Sequence, residues 1–421
     1  MADLIFRNAR LIDPASGYDD IGDLAVTDGV ITQFGGNIAA EAAEEIEADG
    51  RILAPGLIDM RVVSSDTRIA QTCQVAAAGG FTSIVIMPQT SSVLDDTSKL
   101  DYLLRKGAEG GHVNVYGAGA LTHGLRGEAM TDIGLMSDAG ALYFSNGDNP
   151  ISNSRLMRRL LSYSSAFNAL IASRPLDRDM SEGTCAHESD FSSRLGLPGH
   201  PATAERIIAE RDIALAELTG GRLLVDMLSS REGVDVLRQA GQRDLEVYAS
   251  VTINHLALNE LDIGDYRTFA KLDPPLREES DRKALLAAVN DGTIDVIVSS
   301  HDPRMTGEKR LPFAEAGAGA IGLETLLGAG LTLVGNEELD VMALLRALTC
   351  NPAELLGLPG GILAEGAPAD LVLIDPNAPW VVDPEAMTSR AKNTPFDGRR
   401  FTGRADMTVR AGDIVFDRLG A

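Results

Sequence analysis

Six histidines, His112, His123, His187, His200, His255 and His301, are the residues through which this chain could run metal-assisted hydrolysis. A binuclear metal site needs several histidines, at least one carboxylate, and often a bridging acid or a carbamylated lysine. Only His255 and His301 stand beside the ends of apolar runs in the second half of the chain. No lysine occurs between Lys106 and Lys271, which excludes a lysine-carbamate bridge over that interval. His301-Asp302 offers an imidazole and a carboxylate, but adjacent side chains seldom point at one another, so a base and its orienter are not indicated. The cysteines Cys73, Cys185 and Cys350 form no CxxC pair and suggest neither a disulfide framework nor a cysteine-zinc site. Thr184-Cys185-Ala186-His187 shows no nucleophile context, and no glycine-rich phosphate loop ending in Lys-Ser/Thr is present.

The elements that would position these groups alternate. Apolar strand runs fall at 57–63, 82–87, 112–117, 141–145, 168–173, 222–228, 245–252 and 294–300, with helical stretches between them. The clearest helix is 202–219, with Pro201 at its start, Ile207, Ile208, Leu215 and Leu218 at helical spacing, and Gly220-Gly221 as the stop. Strands alternating with helices in this number predict a (β/α)8 TIM-like barrel, with catalytic groups at the C-terminal strand tips. A doubly wound open sheet is the alternative, and no G-x-G-x-x-G follows an early strand to support it. The connections 174–200 and 253–280 exceed what packing needs and belong on the same face. Both ends of the chain read as strands, with turns at Asp28-Gly29 and Ala411-Gly412-Asp413. The expected organisation is a small β-sandwich built from 1–54 plus 360–421, around a barrel spanning 55–359.

The 421 residues carry a formal charge of −24, which disfavours nucleic acid and anionic membrane surfaces. The N-terminus has no basic segment followed by an apolar one, and no apolar run is long enough to span a bilayer. A soluble cytoplasmic protein is expected.

The strand tips present an unusual set for catalysis. The first run, Leu57-Ile58-Asp59-Met60-Arg61-Val62-Val63, buries a carboxylate that must find a partner and ends on a guanidinium that needs one. Asp273 and Asp302 are the expected partners of Arg61 by strand position. Later tips offer Gln89, Asn146, Ser173, Met227, His255, Ser300, His301 and Arg304.

These stretches support a specific resemblance. Ala54-Pro55-Gly56-Leu57-Ile58-Asp59-Met60, Gly79-Gly80-Phe81-Thr82-Ser83 and Met87-Pro88-Gln89-Thr90 are similar to the first motifs of the dihydroorotases, in the amidohydrolase superfamily. Ser193-Arg194-Leu195-Gly196-Leu197-Pro198, Ala270-Lys271-Leu272-Asp273-Pro274-Pro275-Leu276-Arg277, Gly322-Leu323-Glu324-Thr325 and Gly366-Ala367-Pro368-Ala369-Asp370-Leu371-Val372 continue the match in order. The resemblance implies a metal-dependent barrel with a small β-sandwich, in agreement with the pattern above.

The departures fall on the chemistry. By the resemblance, the His-x-His ligands of the first strand are here Arg61 and Val63, and the substrate-gripping arginine beyond them is Ser65. The substrate asparagine is Gln89 and the bridging acid Asn146. The ligand histidines of strands five and six are Ser173 and Met227, and the catalytic aspartate is Ser300. His301 persists, while the last histidine of that run is Arg304, and Asp273 stands where a substrate-binding asparagine belongs. The family uses a metal pair to activate water and an aspartate to move the proton. Valine, serine and methionine supply no strong donor for a hard divalent ion, and Arg61 brings a positive charge. The expectation is therefore a protein of pyrimidine biosynthesis in the inactive branch, without catalytic residues, metal or cofactor, although zinc is usual in the family. Gln89, His255, Asp273, His301 and Arg304 are the expected residual substrate-binding residues. Some inactive family members assemble with aspartate carbamoyltransferase, so a structural role in such a hetero-oligomer is the leading expectation, with a homodimer as the other assembly. The alternatives are a cyclic-amide hydrolase with a mononuclear or metal-free site using His255, His301, Asp273 or Asp302, and a binding module in which Arg61 and Arg304 hold a small anion.

Overall fold

In the computed structural model, which describes residues 2–420, the chain opens with β1 (Ala2–Asp13), β2 (Tyr18–Thr27) and β3 (Val30–Phe34). Thr27 pairs with Val30, and Asp28 and Gly29 between them take φ of 51° and 75°. That left-handed pair is what a two-residue hairpin needs, and Asp-Gly supplies it at low cost. β4 (Ala42–Glu47) and β5 (Ile52–Pro55) both run parallel to β1.

Gly56 then turns the chain into the barrel. A Cβ at this position would lie 2.2 Å from the Thr82 side chain, so only glycine fits the crossing. The barrel strands are β6 (Leu57–Val62), β7 (Phe81–Ile86), β8 (Asn114–Ala120), β9 (Ala141–Ser145) and β10 (Ile171–Ser173). After a two-stranded ribbon of β11 (Ala186–His187) and β12 (Gly199–His200), β13 (Leu223–Leu228), β14 (Val247–Thr252) and β15 (Val296–Val298) complete it. The eight barrel strands are all parallel and follow chain order from β6 to β15. At the open seam Val62 bridges to His301, and the Val63 N–H donates to the His301 carbonyl at 2.8 Å. The sheet is thus a nearly closed barrel, its interior filled by Met60, Val85, Tyr143, Leu224 and Val298. The eight strand runs read from sequence each find their strand, several of them shorter than expected.

The helix Ala202–Thr219 has the predicted limits, with Pro201 before it and left-handed Gly220 after it. Its buried face takes in Ile208 and Ile213 but only part of the aliphatic set that the sequence suggests. Ile207 and Leu218 are 40% and 63% exposed, whereas Glu205 and Asp212 are buried. Spaced seven residues apart, the two acids share a face and serve as acceptors for the barrel strands. Glu205 takes the amides of Ser229 and Ser230 at 3.0 Å and their hydroxyls at 2.5 and 2.6 Å.

The chain returns through β16 (Leu371–Val381), β17 (Arg400–Arg410) and β18 (Asp413–Asp417). β16 pairs antiparallel with β5, so both ends of the chain join one eight-stranded sheet, ordered β18-β17-β16-β5-β1-β2-β3 with β4 beside β1. A small β-sandwich is expected from both ends; the two ends do join, in a single hydrogen-bonded sheet. Among the described residues no helix is long and apolar enough to cross a membrane.

Candidate functional site

The C-terminal mouth of the barrel is organised by one buried cation. Arg61, at the end of β6, is 3% exposed. Its Nη1 donates to Asp226 Oδ2 at 2.6 Å and its Nη2 to Asp148 Oδ1 at 2.6 Å. The partners expected from strand position, Asp273 and Asp302, are instead paired with Arg174 and with Arg304. The reason is geometric: the Arg61 side chain reaches across the mouth to β13 and to the loop after β9, and not along the rim to its neighbours. Burial opposes the Arg61 charge, but Asp226 and Asp148 outweigh it and hold the guanidinium above its ordinary pKa. Burial likewise raises Asp148, and Arg61 and Arg174 reverse this and hold its carboxyl below the usual range.

Asp226 is fixed from its other side, where Oδ1 accepts the Ser250 hydroxyl at 2.7 Å. Asp59, in the middle of β6, is fully buried and accepts the amides of Arg61 at 3.0 Å and Ser299 at 3.3 Å. Burial pushes it to about 6 against those bonds. Asp302 is also pushed to about 6 by burial, despite the Arg304 guanidinium at 2.5 Å.

The residues singled out from sequence divide into two groups. Arg61, Val63, His255, Asp273, Ser300 and Arg304 share one pocket of about 70 Å³. Gln89 and His301 line an adjoining open groove, together with Val63 and Arg304. The others are engaged elsewhere. The Asn146 amide ties the loop together, accepting from Thr122 at 2.7 Å and donating to the carbonyls of Leu125 and Asn149. The Ser173 hydroxyl donates to Asp212 at 2.6 Å, and Met227 Sδ receives the Ser300 hydroxyl at 3.4 Å. Met227 and Ser300 both take left-handed backbone, φ 58° and 49°, at their strand ends.

Both histidines are committed and neutral. The Nε2–H of His255 donates to the Pro274 carbonyl at 3.1 Å, leaving Nδ1 to accept the Thr252 hydroxyl at 2.7 Å. Burial lowers its pKa to about 4. His301 Nδ1 accepts the Gly322 amide at 3.3 Å, and burial lowers its pKa to about 3.

A metal pair does not fit this donor set. Among the described residues no three His, Cys, Asp or Glu side chains converge on a common point. The carboxylates around the mouth already hold protein cations, Asp226 and Asp148 on Arg61, Asp273 on Arg174 and Asp302 on Arg304, which a divalent ion would have to displace. Arg61 and Arg304 are both paired with carboxylates, and Arg304 Nε is buried without an acceptor.

Asp148, Asp226, Arg174 and Asn254 complete the mouth and were not singled out from sequence. Asp226 carried the same signal as Asp59, a lone acid inside an apolar run, Leu223-Leu224-Val225-Asp226-Met227-Leu228. Asp148 stands two residues beyond Asn146 in a turn, where nothing local shows that its side chain meets a buried arginine.

Comparison with known proteins places this geometry. Residues 50–233 match the Dihydro-orotase-like family and residues 224–415 the Amidohydrolase family. A dihydroorotase of Syntrophotalea carbinolica is 38% identical over 98% of this chain and 99% of its own length. A dihydroorotase of Geobacter metallireducens is 36% identical over 99% of this chain and all of its own. Among solved structures, an L-hydantoinase from Arthrobacter aurescens superposes with a TM-score of 0.90, covering 99% of this chain and 97% of that one, at 24% identity. A dihydropyrimidinase from Brevibacillus agri gives 0.82 at 20% identity, covering 99% of this chain and 95% of that one. These two matches concern the fold.

Proposed function

Since the chain belongs to the dihydroorotase family of the amidohydrolase superfamily, we propose that it is a non-catalytic member of that family, acting as a structural subunit for aspartate carbamoyltransferase in pyrimidine synthesis. The observation that carries the first half is the Arg61 guanidinium, buried between Asp226 and Asp148 at 2.6 Å from each. A protein cation neutralises the acids that remain at the mouth, so the site keeps its charge balance without a metal. Ser173, Met227 and Ser300 offer no acid, base or strong ligand in its place. The barrel and the terminal sheet nevertheless keep the family architecture, which is what a scaffold role requires.

The partner rests on family analogy alone. Co-purification with a carbamoyltransferase tests it directly: a stable complex is expected, and a chain that stays apart from the transferase at micromolar concentration overturns the role. Metal content measured beside interconversion of dihydroorotate and carbamoyl-aspartate tests inactivity. Substoichiometric metal and no turnover are expected.

One observation favours a second reading. Asp302, at about 6 and lining the pocket, has the pKa of a usable general base. Metal-independent turnover lost in Asp302→Asn would establish that hydrolase in place of the scaffold.

A further inference from the structure

A second pocket lies where the terminal sheet meets the barrel, and it shares no lining residue with the mouth or with the groove beside it. It encloses about 190 Å³ between β16, β17, the chain just beyond β18 and the helix Leu326–Gly335. Its walls are of two kinds. Trp380, Leu327 and Met387 make the apolar part. The indole N–H of Trp380 already donates to the Gly403 carbonyl at 3.0 Å, so the ring offers the pocket only apolar surface. Arg404 of β17 and Arg418, just after β18, bring two guanidiniums to the same cavity.

Neither guanidinium is neutralised. Arg404 Nε is buried and meets no acceptor. Arg418 spends its Nε on the Ala405 carbonyl at 3.2 Å, which leaves both of its Nη groups. The nearby carboxylates are held by other donors. Glu324 accepts the Thr388 and Ser389 amides at 2.8 and 3.0 Å, Asp383 the Glu385 amide at 2.9 Å, and Asp406 the Arg51 Nε at 3.1 Å. Among the described residues no carboxylate stands at ion-pairing distance from Arg404 or Arg418, and Glu324 and Asp406 act on Arg418 only through space. Burial lowers the Arg418 pKa, and the like charge of Arg404 lowers it further. Neighbouring cations with unused N–H groups are costly in a folded protein, and an anion between them would remove that cost.

We propose that this pocket binds a small organic acid, its carboxylate shared by Arg404 and Arg418 and its apolar body against Trp380, Leu327 and Met387. The parallel N–H groups of a guanidinium match the two oxygens of a carboxylate. Glu324 and Asp383 also line the pocket, which favours one negative charge on the ligand over the two of a phosphate monoester. The volume admits a body of roughly one ring. The inference is independent of the non-catalytic reading, because the mouth takes no part in it.

Trp380 is the one tryptophan in the chain, so its emission reports on this pocket. The test is titration of the full-length chain at fixed salt with benzoate, and with acetate, benzyl alcohol and benzylammonium as contrasts, followed by tryptophan emission and by ligand-observed NMR. Benzoate is expected to change the emission saturably and to bind at least tenfold more tightly than each contrast. Its affinity is expected to fall tenfold or more in Arg404→Gln and in Arg418→Gln, with both variants unfolding no earlier than the parent. An emission that benzoate leaves unchanged, equal binding of benzyl alcohol or benzylammonium to the parent, or an affinity for benzoate unchanged in both variants overturns the inference. Benzoate binding seen by NMR that the emission does not follow places the acid elsewhere and overturns it as well.

Discussion

Arg61 and Asp226 face one another across the barrel mouth, Nη1 to Oδ2 at 2.6 Å, and both side chains are almost wholly buried. One stands on the first barrel strand and the other on the sixth. The pair therefore ties two distant strands of the barrel together at its C-terminal mouth.

Truncation of one partner leaves the other charge buried and alone. Arg61→Ala is expected to cost about 3–5 kcal/mol of unfolding free energy, measured by urea denaturation. Arg61→Met combined with Asp226→Leu should recover most of this, because an apolar pair of similar volume leaves no stranded charge. A single variant that loses less than about 1 kcal/mol would show that the pair is not tying the strands.

Recovery of metal binding should be all-or-none. Restoring Arg61→His alone is expected to add no zinc, because a lone imidazole beside committed carboxylates is not a site. Restoring Arg61→His, Val63→His, Asn146→Asp, Ser173→His, Met227→His and Ser300→Asp together is expected to bring zinc in stoichiometric amounts, measured by elemental analysis. Zinc bound by the single variant would mean that the remaining donors suffice.

The pH dependence of stability isolates His301. Its folded pKa is depressed to about 3 from an ordinary value of 6.5. Between these limits the unfolded chain binds a proton that the folded chain does not, so stability falls as pH falls through this window. His301→Gln keeps an acceptor for the Gly322 amide and removes the titration. The variant should gain on the parent by up to about 1.4 kcal/mol for each pH unit below 6.5, read from denaturation midpoints at matched pH. A difference independent of pH would place the His301 proton elsewhere.

Glu205 anchors the end of β13 through four donors from Ser229 and Ser230. Glu205→Ala strands all four inside the protein and should cost at least about 3 kcal/mol. Glu205→Gln, which keeps one acceptor oxygen, should fall between the two in thermal unfolding. Equal stability of all three would show that water replaces the carboxylate.

Much of this was legible in the chain itself. The strand runs, the Asp28-Gly29 and Ala411-Gly412-Asp413 turns and the limits of 202–219 follow from local rules, in which neighbouring residues determine backbone shape. The identities of Arg61, Val63, Asn146, Ser173, Met227 and Ser300 are likewise properties of the sequence, because a residue that lacks a donor lacks it in any fold. The partner of Arg61 is of another kind. Asp148 and Asp226 are 87 and 165 residues away, and only barrel closure brings three distant segments within hydrogen-bond reach. Position along the rim pointed to Asp273 and Asp302, but the direction of a side chain across a closed sheet depends on pleat and register, which no local pattern carries. The same holds for the inward face of 202–219, where Glu205 and Asp212 share the buried face with Ile208 and Ile213 while Ile207 and Leu218 are exposed. Their burial is favourable because Ser229 and Ser230 just beyond β13 donate to Glu205, and Ser173 of β10 and Arg211 donate to Asp212. The sequence determined which side chains stand at the strand tips, and the tertiary structure decided which charges pair there.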